Sequence, residues 1–326
     1  MSADKAPGPT ERETGQPVEG VLRSRQVEIL AQTPLFQALP KRHRTRVADL
    51  AELRRYADGT DIVRAGEPGD SFHVVLEGEP SVATPDGHEQ RLMPGDHFGE
   101  LSLLDGAPRA ATVTALDEVT TGRVSRADFQ GVLHEEPTLA VALLPGLALV
   151  VRDLLRADAQ RIPDQGRVGD WQEGGDEAVG KVLEGIDALS SLMVLRHVTL
   201  FEALPERHLH RLAKHVTVER FEPGAAVVVA GAPGDALHVI LNGRARVRTP
   251  GGHTRTLDAN DCFGELALID GAPRAATVSA VSELTTARIA RADFQKLLKA
   301  EPDMAIGLLD GVMPTVRDLQ SATAIA

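Results

Sequence analysis

FGELSLLDGAPRAATVTAL, residues 98–116, returns as FGELALIDGAPRAATVSAV at residues 263–281, with 15 of 19 positions identical. The copies stand 165 residues apart, and the same offset relates other pairs along the chain. LFQALP at 35–40 recurs as LFEALP at 200–205. Gly66, Pro68, Gly69 and Asp70 recur as Gly231, Pro233, Gly234 and Asp235, and Arg152-Asp153 as Arg317-Asp318. No insertion or deletion therefore separates the copies from about residue 35 to 320. Solenoid units run roughly 20–50 residues, far below this period, which instead suits a whole domain with its connecting helices. The chain reads as two tandem domains.

Outward from the repeated phrase, residues 56 to 126 alternate short apolar runs with turn signals, as in DIVRAG, GDSFHVVLEG and ATVTALDEVTTGRVS. That texture predicts many short strands closed into a compact barrel or sandwich. Helical spacing marks 21–32, 41–55 and the stretch from 127 to about 159, so the fold class is mainly β with flanking α-helices. Residues 1–20, rich in Pro, Gly, Glu and Thr, read as a disordered tail. Residues 21–160 then form the first domain, the Gly-rich acidic stretch 161–180 a linker, and 181–326 the second domain, opened by a helix near 181–197.

A 42% apolar fraction with only 3% aromatic residues predicts two cores built from Leu, Val, Ala and Ile. The net charge of −12 argues against a nucleic-acid surface, which needs clustered Lys and Arg. The single cysteine, Cys262, permits no internal disulfide and suits a reducing compartment. LAVALLPGLALVV at 139–151 is apolar but short and holds Pro145, which points to a buried helix and not a membrane span. The first residues lack the charged-then-apolar order of a signal peptide, so the expectation is a cytoplasmic protein. His208, His210 and His215 share no matched ligand set and read as surface residues. No nucleophile–base constellation, zinc spacing or P-loop appears, so the chain is not expected to be an enzyme.

The chemistry of the phrase follows from its parts. Gly99 and Gly264 open a tight corner, and an acid follows directly at Glu100 and Glu265. LSLLDG at 101–106 is long enough for one helical turn, whose free N–H groups suit an anion. Arg109 and Arg274, each set by a preceding proline, supply a planar fork that meets two phosphate oxygens at once. A carboxylate beside an anion site makes sense when it accepts a hydrogen bond from a sugar hydroxyl, as acids do on ribose in dinucleotide folds. Acid and arginine together point to a nucleotide whose ribose and phosphate lie close, and a 3′,5′-cyclic nucleotide has that shape. A bare Glu–Arg ion pair would not need the glycine, the proline and the small residues Ala110 and Ala275 around it.

FGE-L-x-L followed by PRAATV resembles the phosphate-binding cassette of the cyclic-nucleotide-binding domain family. The pattern is most similar to the two-domain regulatory subunits of cAMP-dependent protein kinase, and more distantly resembles bacterial catabolite-activator-type sensors. The resemblance implies two tandem β jelly-roll domains flanked by helices. It further implies that Glu100 and Glu265 take the ribose 2′-hydroxyl and that Arg109 and Arg274 take the cyclic phosphate. Gly99, Ser102 and Ala110, with Gly264, Ala267 and Ala275, would offer backbone N–H groups. Alanine directly after the arginine resembles cAMP-selective members, so cAMP is expected ahead of cGMP.

The final helix offers no aromatic lid for the base, which leaves Arg317, its counterpart Arg152 and the linker residue Trp171 as candidates. Ligand closure would shift Leu103 or Leu268 and release the helix bearing Phe129 or Phe294. The tail segment VLRSRQV at 21–27 is not an inhibitor sequence of the kinase-regulatory type, and no helix-turn-helix follows, so DNA is not an expected partner. The expected function is a non-enzymatic two-site sensor acting on an unidentified protein partner or its own oligomer. The alternative is a barrel scaffold whose cassettes bind no nucleotide or bind it incidentally.

Overall fold

A computed structural model describes residues 16–17, 23–161, 177–183, 188–252 and 254–324, so Trp171 and most of the expected tail and linker lie outside the described residues. The first repeat runs β1 (Gln16–Pro17), α1 (Arg23–Leu30), α2 (Pro34–Gln37), α3 (Lys41–Ala48), β2 (Glu52–Tyr56), β3 (Asp61–Val63) and β4 (Ser71–Glu77). It continues through β5 (Pro80–Ala83), β6 (Glu89–Arg91), β7 (His97–Phe98), α4 (Ser102–Asp105), β8 (Thr112–Ala115), β9 (Val119–Ser125), α5 (Arg126–Glu135) and α6 (Pro137–Arg161). The second repeat opens with β10 (Lys181–Val182), α7 (Ala188–Leu195), a 3-10 turn (Thr199–Phe201), α8 (Glu206–Ala213), β11 (Val216–Phe221), β12 (Ala226–Val228) and β13 (Ala236–Asn242). It closes with β14 (Ala245–Arg248), β15 (Thr254–Leu257), β16 (Cys262–Phe263), α9 (Glu265–Asp270), β17 (Thr277–Ala280), β18 (Leu284–Ala290), α10 (Arg291–Ala300) and α11 (Met304–Ala324).

Each repeat builds two antiparallel sheets, β1-β2-β9-β4-β7 with β3-β8-β5-β6, and β10-β11-β18-β13-β16 with β12-β17-β14-β15. Neighbours distant in sequence, such as β9 between β2 and β4, are the crossovers of a jelly roll. The six leading residues of β4 are all buried, because its wall has the barrel interior on one side and other elements on the other. Tyr56, Ile62, Val75, Leu92, Phe98, Val113, Ala115 and Val119 fill the first interior. Phe221, Val227, Ile240, Leu257, Phe263, Val278 and Leu284 fill the second. Tyr56 and Phe221 occupy matching core positions, as the repeat register suggests.

Three features differ from the sequence reading. Gln16–Pro17, expected in the tail, pairs with Arg54–Arg55. The helix expected from 181 is preceded by β10, which pairs with Glu219–Arg220, and the helix itself spans Ala188–Leu195. His208 is buried, not at the surface, with Nε2 3.3 Å from Glu301 and 3.5 Å from Asp303.

By packing, one compact unit holds the described residues up to Thr33 with Lys41–Gln130, and the other holds Pro34–Pro40 with those from Gly131 on. The division falls within α5, between Gln130 and Gly131, whereas the sequence reading put the first limit near 160, and α6 packs against α2, α9 and α11. Within α6, Pro137–Leu155 is long and apolar enough to meet the length and composition of a membrane span. Leu139, Ala140, Leu143, Leu144, Leu147, Ala148 and Val151 are nevertheless buried in the protein, which accounts for the apolar run as core.

Polar groups in the barrel interiors carry a testable consequence. His73 stacks on Phe98 with ring centroids 4.9 Å apart, and its Nδ1 lies 3.1 Å from Thr121 Oγ1. His238 repeats the arrangement on Phe263 at 5.1 Å, with Thr286 Oγ1 at 3.1 Å. Burial, reinforced by Arg109, Arg123 and Arg54, holds His73 well below the usual histidine range. Burial with Arg274 and Arg288 nearby pushes His238 down to about 3. An unfolded histidine takes a proton near pH 6.5 while these folded ones do not, so stability is fully present above that value and falls as pH drops below it. For His238 the loss should reach about 2 kcal/mol at pH 5, and His73 acts in the same direction. Urea unfolding midpoints at pH 7 and pH 5 check this, and coincident midpoints would rule out neutral buried imidazoles.

Candidate functional site

The repeated phrase folds the same way in both units. β7 and β16 lead into Gly99 and Gly264, whose φ values of 81° and 85° lie in the left-handed region that favours glycine. A Cβ at either position would also collide with the arginine Nη1 and with the carbonyl oxygen of Ser71 or Ala236. The corner then turns into α4 or α9, and the left-handed residues Gly106 and Gly271 end those helices. The chain next passes Pro108-Arg109 or Pro273-Arg274 into β8 or β17.

The arginines are buried, at 7% and 5% exposure, although charged side chains seldom are. Arg109 Nη1 donates to Ser71 O at 2.7 Å and to Ser102 Oγ at 3.3 Å. Its Nη2 donates to Ser71 Oγ at 2.9 Å and to Asp70 Oδ1 at 3.2 Å. Asp70 also accepts from Arg123 at 3.3 Å through its other oxygen. In the second unit, Arg274 Nη1 donates to Ala236 O at 2.6 Å and Nη2 to Asp235 Oδ1 at 3.2 Å. Arg288 takes the other oxygen of Asp235 at 2.8 Å. Each guanidinium is thus clamped by a carbonyl and by an aspartate shared with a neighbouring arginine, a preorganised fork of positive charge.

Glu100 and Glu265 are half-buried at the corner. Burial raises the carboxyl of Glu265, against the opposing influence of its own backbone N–H and of Arg255, Arg152 and Arg274. Arg274 forms its ion pairs with Asp235 and, at 3.9 Å, with Glu177, and none with Glu265. That leaves the Glu265 carboxylate available to accept from a hydroxyl. Ala110 and Ala275 are exposed directly beside the buried arginines. Such a corner can hold an anion against the arginine and a sugar hydroxyl against the acid.

Other expected site residues fall into place unevenly. The Ser102 N–H, expected to face a ligand, instead donates to Gly99 O at 3.1 Å because the short α4 opens with a tight turn. The Ser102 hydroxyl braces Arg109. Ala267 is buried within α9. Leu103, Leu268, Phe129 and Phe294 are core residues with exposures of 0–1%. Gln130 Nε2, one residue beyond Phe129, donates to Leu103 O at 2.9 Å and Leu104 O at 3.2 Å, tying α5 to the end of α4.

Arg152, expected as the lid of the first site, is engaged elsewhere. Its Nε and Nη2 meet the two oxygens of Asp270 at 2.6 and 3.1 Å, and Nη1 donates to Pro273 O at 3.2 Å. Asp270 also accepts from Ala272 N at 2.9 Å, so α6 grips the loop that carries Arg274. Arg317 donates to Gln320 Oε1 at 3.1 Å. Asp70, Asp235 and Glu177 have no assigned role in the sequence reading. The recurring G-x-P-G-D at 66–70 and 231–235 is the signal that could have found the first two.

A sequence model of the cyclic nucleotide-binding domain matches residues 53–136 and 218–301, just over half of the chain. The chain belongs to that family. Its two matched cyclic nucleotide-binding domains each enclose one Gly-Glu corner and one clamped arginine. Over 266 residues the chain is 27% identical to a cAMP-dependent protein kinase regulatory subunit of Yarrowia lipolytica, covering 81% of this chain and 58% of that one. It therefore spans less than two thirds of that relative's length. A structure of the regulatory domain of Toxoplasma gondii PKA with cAMP aligns over 93% of this chain and 96% of its own, at 24% identity and a TM-score of 0.31. The N-terminal domain of a Streptomyces coelicolor transcriptional regulator aligns over 42% of this chain and 96% of its own, at 34% identity and a TM-score of 0.35.

Proposed function

We propose that this protein is a non-enzymatic sensor that binds one cyclic nucleotide, preferably cAMP, in each of its two domains. The observation that carries the reading is the buried arginine of each cassette, clamped by Ser71 O and Asp70 or by Ala236 O and Asp235 beside an acid at a glycine corner. A buried guanidinium held this rigidly needs little reorganisation to take a phosphate. The acid beside it suits a ribose hydroxyl. Similarity to a cAMP-dependent kinase regulatory subunit supports cAMP over cGMP, as does the alanine after each arginine.

Signalling requires that ligand bind one conformation better than another, because equal affinity shifts no population. The contacts of Gln130 with the end of α4 supply a path from the cassette to α5. Closing the corner on a phosphate moves α4, and α5 follows through Gln130 and the core residues Leu103 and Phe129. The output is a helix rearrangement read by a protein partner or by another copy of the chain.

Isothermal titration of chain freed of nucleotide by unfolding and refolding tests the reading. cAMP is expected to bind near two equivalents, with cGMP weaker. Absence of heat with either nucleotide would leave a barrel scaffold that retains the cassette without using it.

A further inference from the structure

Arg274 presents one edge that the barrel does not use. Its Nη1 and Nη2 are engaged by Ala236 O and Asp235, whereas the buried Nε has no hydrogen-bond partner among the described residues. A buried N–H without an acceptor is costly, and this edge is where an incoming anion would complete the guanidinium. The group facing it belongs to the expected linker. Glu177 Oε1 stands 3.9 Å from Arg274 Nε, inside ion-pair range but too far for a hydrogen bond.

Glu177 is held there by its neighbours. The same oxygen accepts from Val229 N at 3.2 Å. Ala178 N donates to Ala226 O at 2.7 Å, and Leu183 N to Val218 O at 2.8 Å. Between them β10 pairs with β11, so residues 177–183 lie along the second barrel as an added edge strand. Burial lowers the Arg274 pKa, and Glu177 is foremost among the charges opposing that effect, ahead of Asp235. The carboxylate is therefore a second counter-charge beside Asp235, and the one that faces the unpaired Nε.

We propose that Glu177 is a built-in competitor for the ligand phosphate, so that the second site fills only when the carboxylate yields the Nε edge of Arg274. This rests on the reading of the cassettes as cyclic-nucleotide sites and adds the regulation of one of them. A ligand phosphate and Glu177 are both anions directed at one guanidinium edge, and they cannot share it without repulsion. Occupancy of the second site is thereby coupled to release of residues 177–183 from the edge of the second barrel.

The test uses the full chain and cAMP as the probe, in an Arg109→Ala background so that the second site alone reports. Glu177→Gln removes the charge but keeps an oxygen able to accept from Val229 N–H, so folding is preserved. Its second-site Kd is expected to tighten about tenfold. Hydrogen exchange supplies a second readout, since cAMP should speed exchange of the Ala178, Val229 and Leu183 amides in the chain with Glu177 intact. An unchanged Kd in Glu177→Gln, together with amides that stay protected in the cAMP complex, overturns the competitor while the sensor reading stands. Absence of cAMP binding at both sites, in the unaltered chain and in the single Glu177→Gln variant with Arg109 intact, overturns the sensor reading and the competitor with it.

Discussion

Arg152→Ala should lower the stability of the second compact unit by about 3–5 kcal/mol, the usual cost of removing one partner from a buried ion pair. Arg152 and Asp270 side chains are only 9% and 8% exposed, so solvent cannot replace the lost partner. Removal of the guanidinium strips both oxygens of Asp270 of their arginine donors and, among the described residues, leaves Ala272 N–H. Pro273 O loses a donor as well. A double change, Arg152→Met with Asp270→Leu, should recover most of the loss, because apolar pairs of similar volume often match a buried ion pair. Urea denaturation of the parent chain and both variants checks both statements. A single-variant loss below about 1 kcal/mol would place the pair with ordinary surface salt bridges and remove α6 as a support of the second cassette.

Arg109→Lys and Arg274→Lys should each weaken cAMP binding at their own site by about 100-fold or more, because the planar, multidentate hydrogen bonding of the buried guanidinium is lost. Lysine keeps the charge, so a simple electrostatic role would predict a small effect. The geometry predicts a large one. Arg274 holds Ala236 O with Nη1 and Asp235 with Nη2 while keeping its buried Nε free of barrel partners among the described residues, three tasks on one rigid plane. An ammonium on a flexible stem cannot divide itself in that way. Titration calorimetry should show one strong and one weakened site in each single variant, with thermal unfolding confirming that the barrels persist. Two unchanged sites would mean that the arginines serve the fold alone.

Much of this was legible in the sequence because the controlling physics is local. The 165-residue offset marked the duplication, and alternating apolar runs between turn residues marked the strands that build both barrels. The corner at Gly99 and Gly264 was readable because a positive φ is a demand placed on one residue. The short helix after it and the buried arginine beyond it followed from spacing within a single 19-residue phrase.

Where a signal needed two distant segments, the sequence reading stopped short or went astray. Arg152 suggested a lid by its place on the helix after the first barrel, yet its partner Asp270 lies 118 residues away. Glu177 looked like one acid in a Gly-rich linker until the fold set it beside Val229 and Arg274. His208 looked exposed on a polar helix, but packing buries it beside Glu301.

The sequence by itself determined the duplication, the β character of both domains and the acid-and-arginine corner in each. Those depend on backbone preference and residue spacing within a few turns of chain. Only the tertiary structure decided which carboxylate meets which arginine: Asp70 on Arg109, Asp235 and Glu177 on Arg274, Asp270 on Arg152. Charges have no fixed partner along a chain, and the pairing is set by which elements pack and by how little water remains between them.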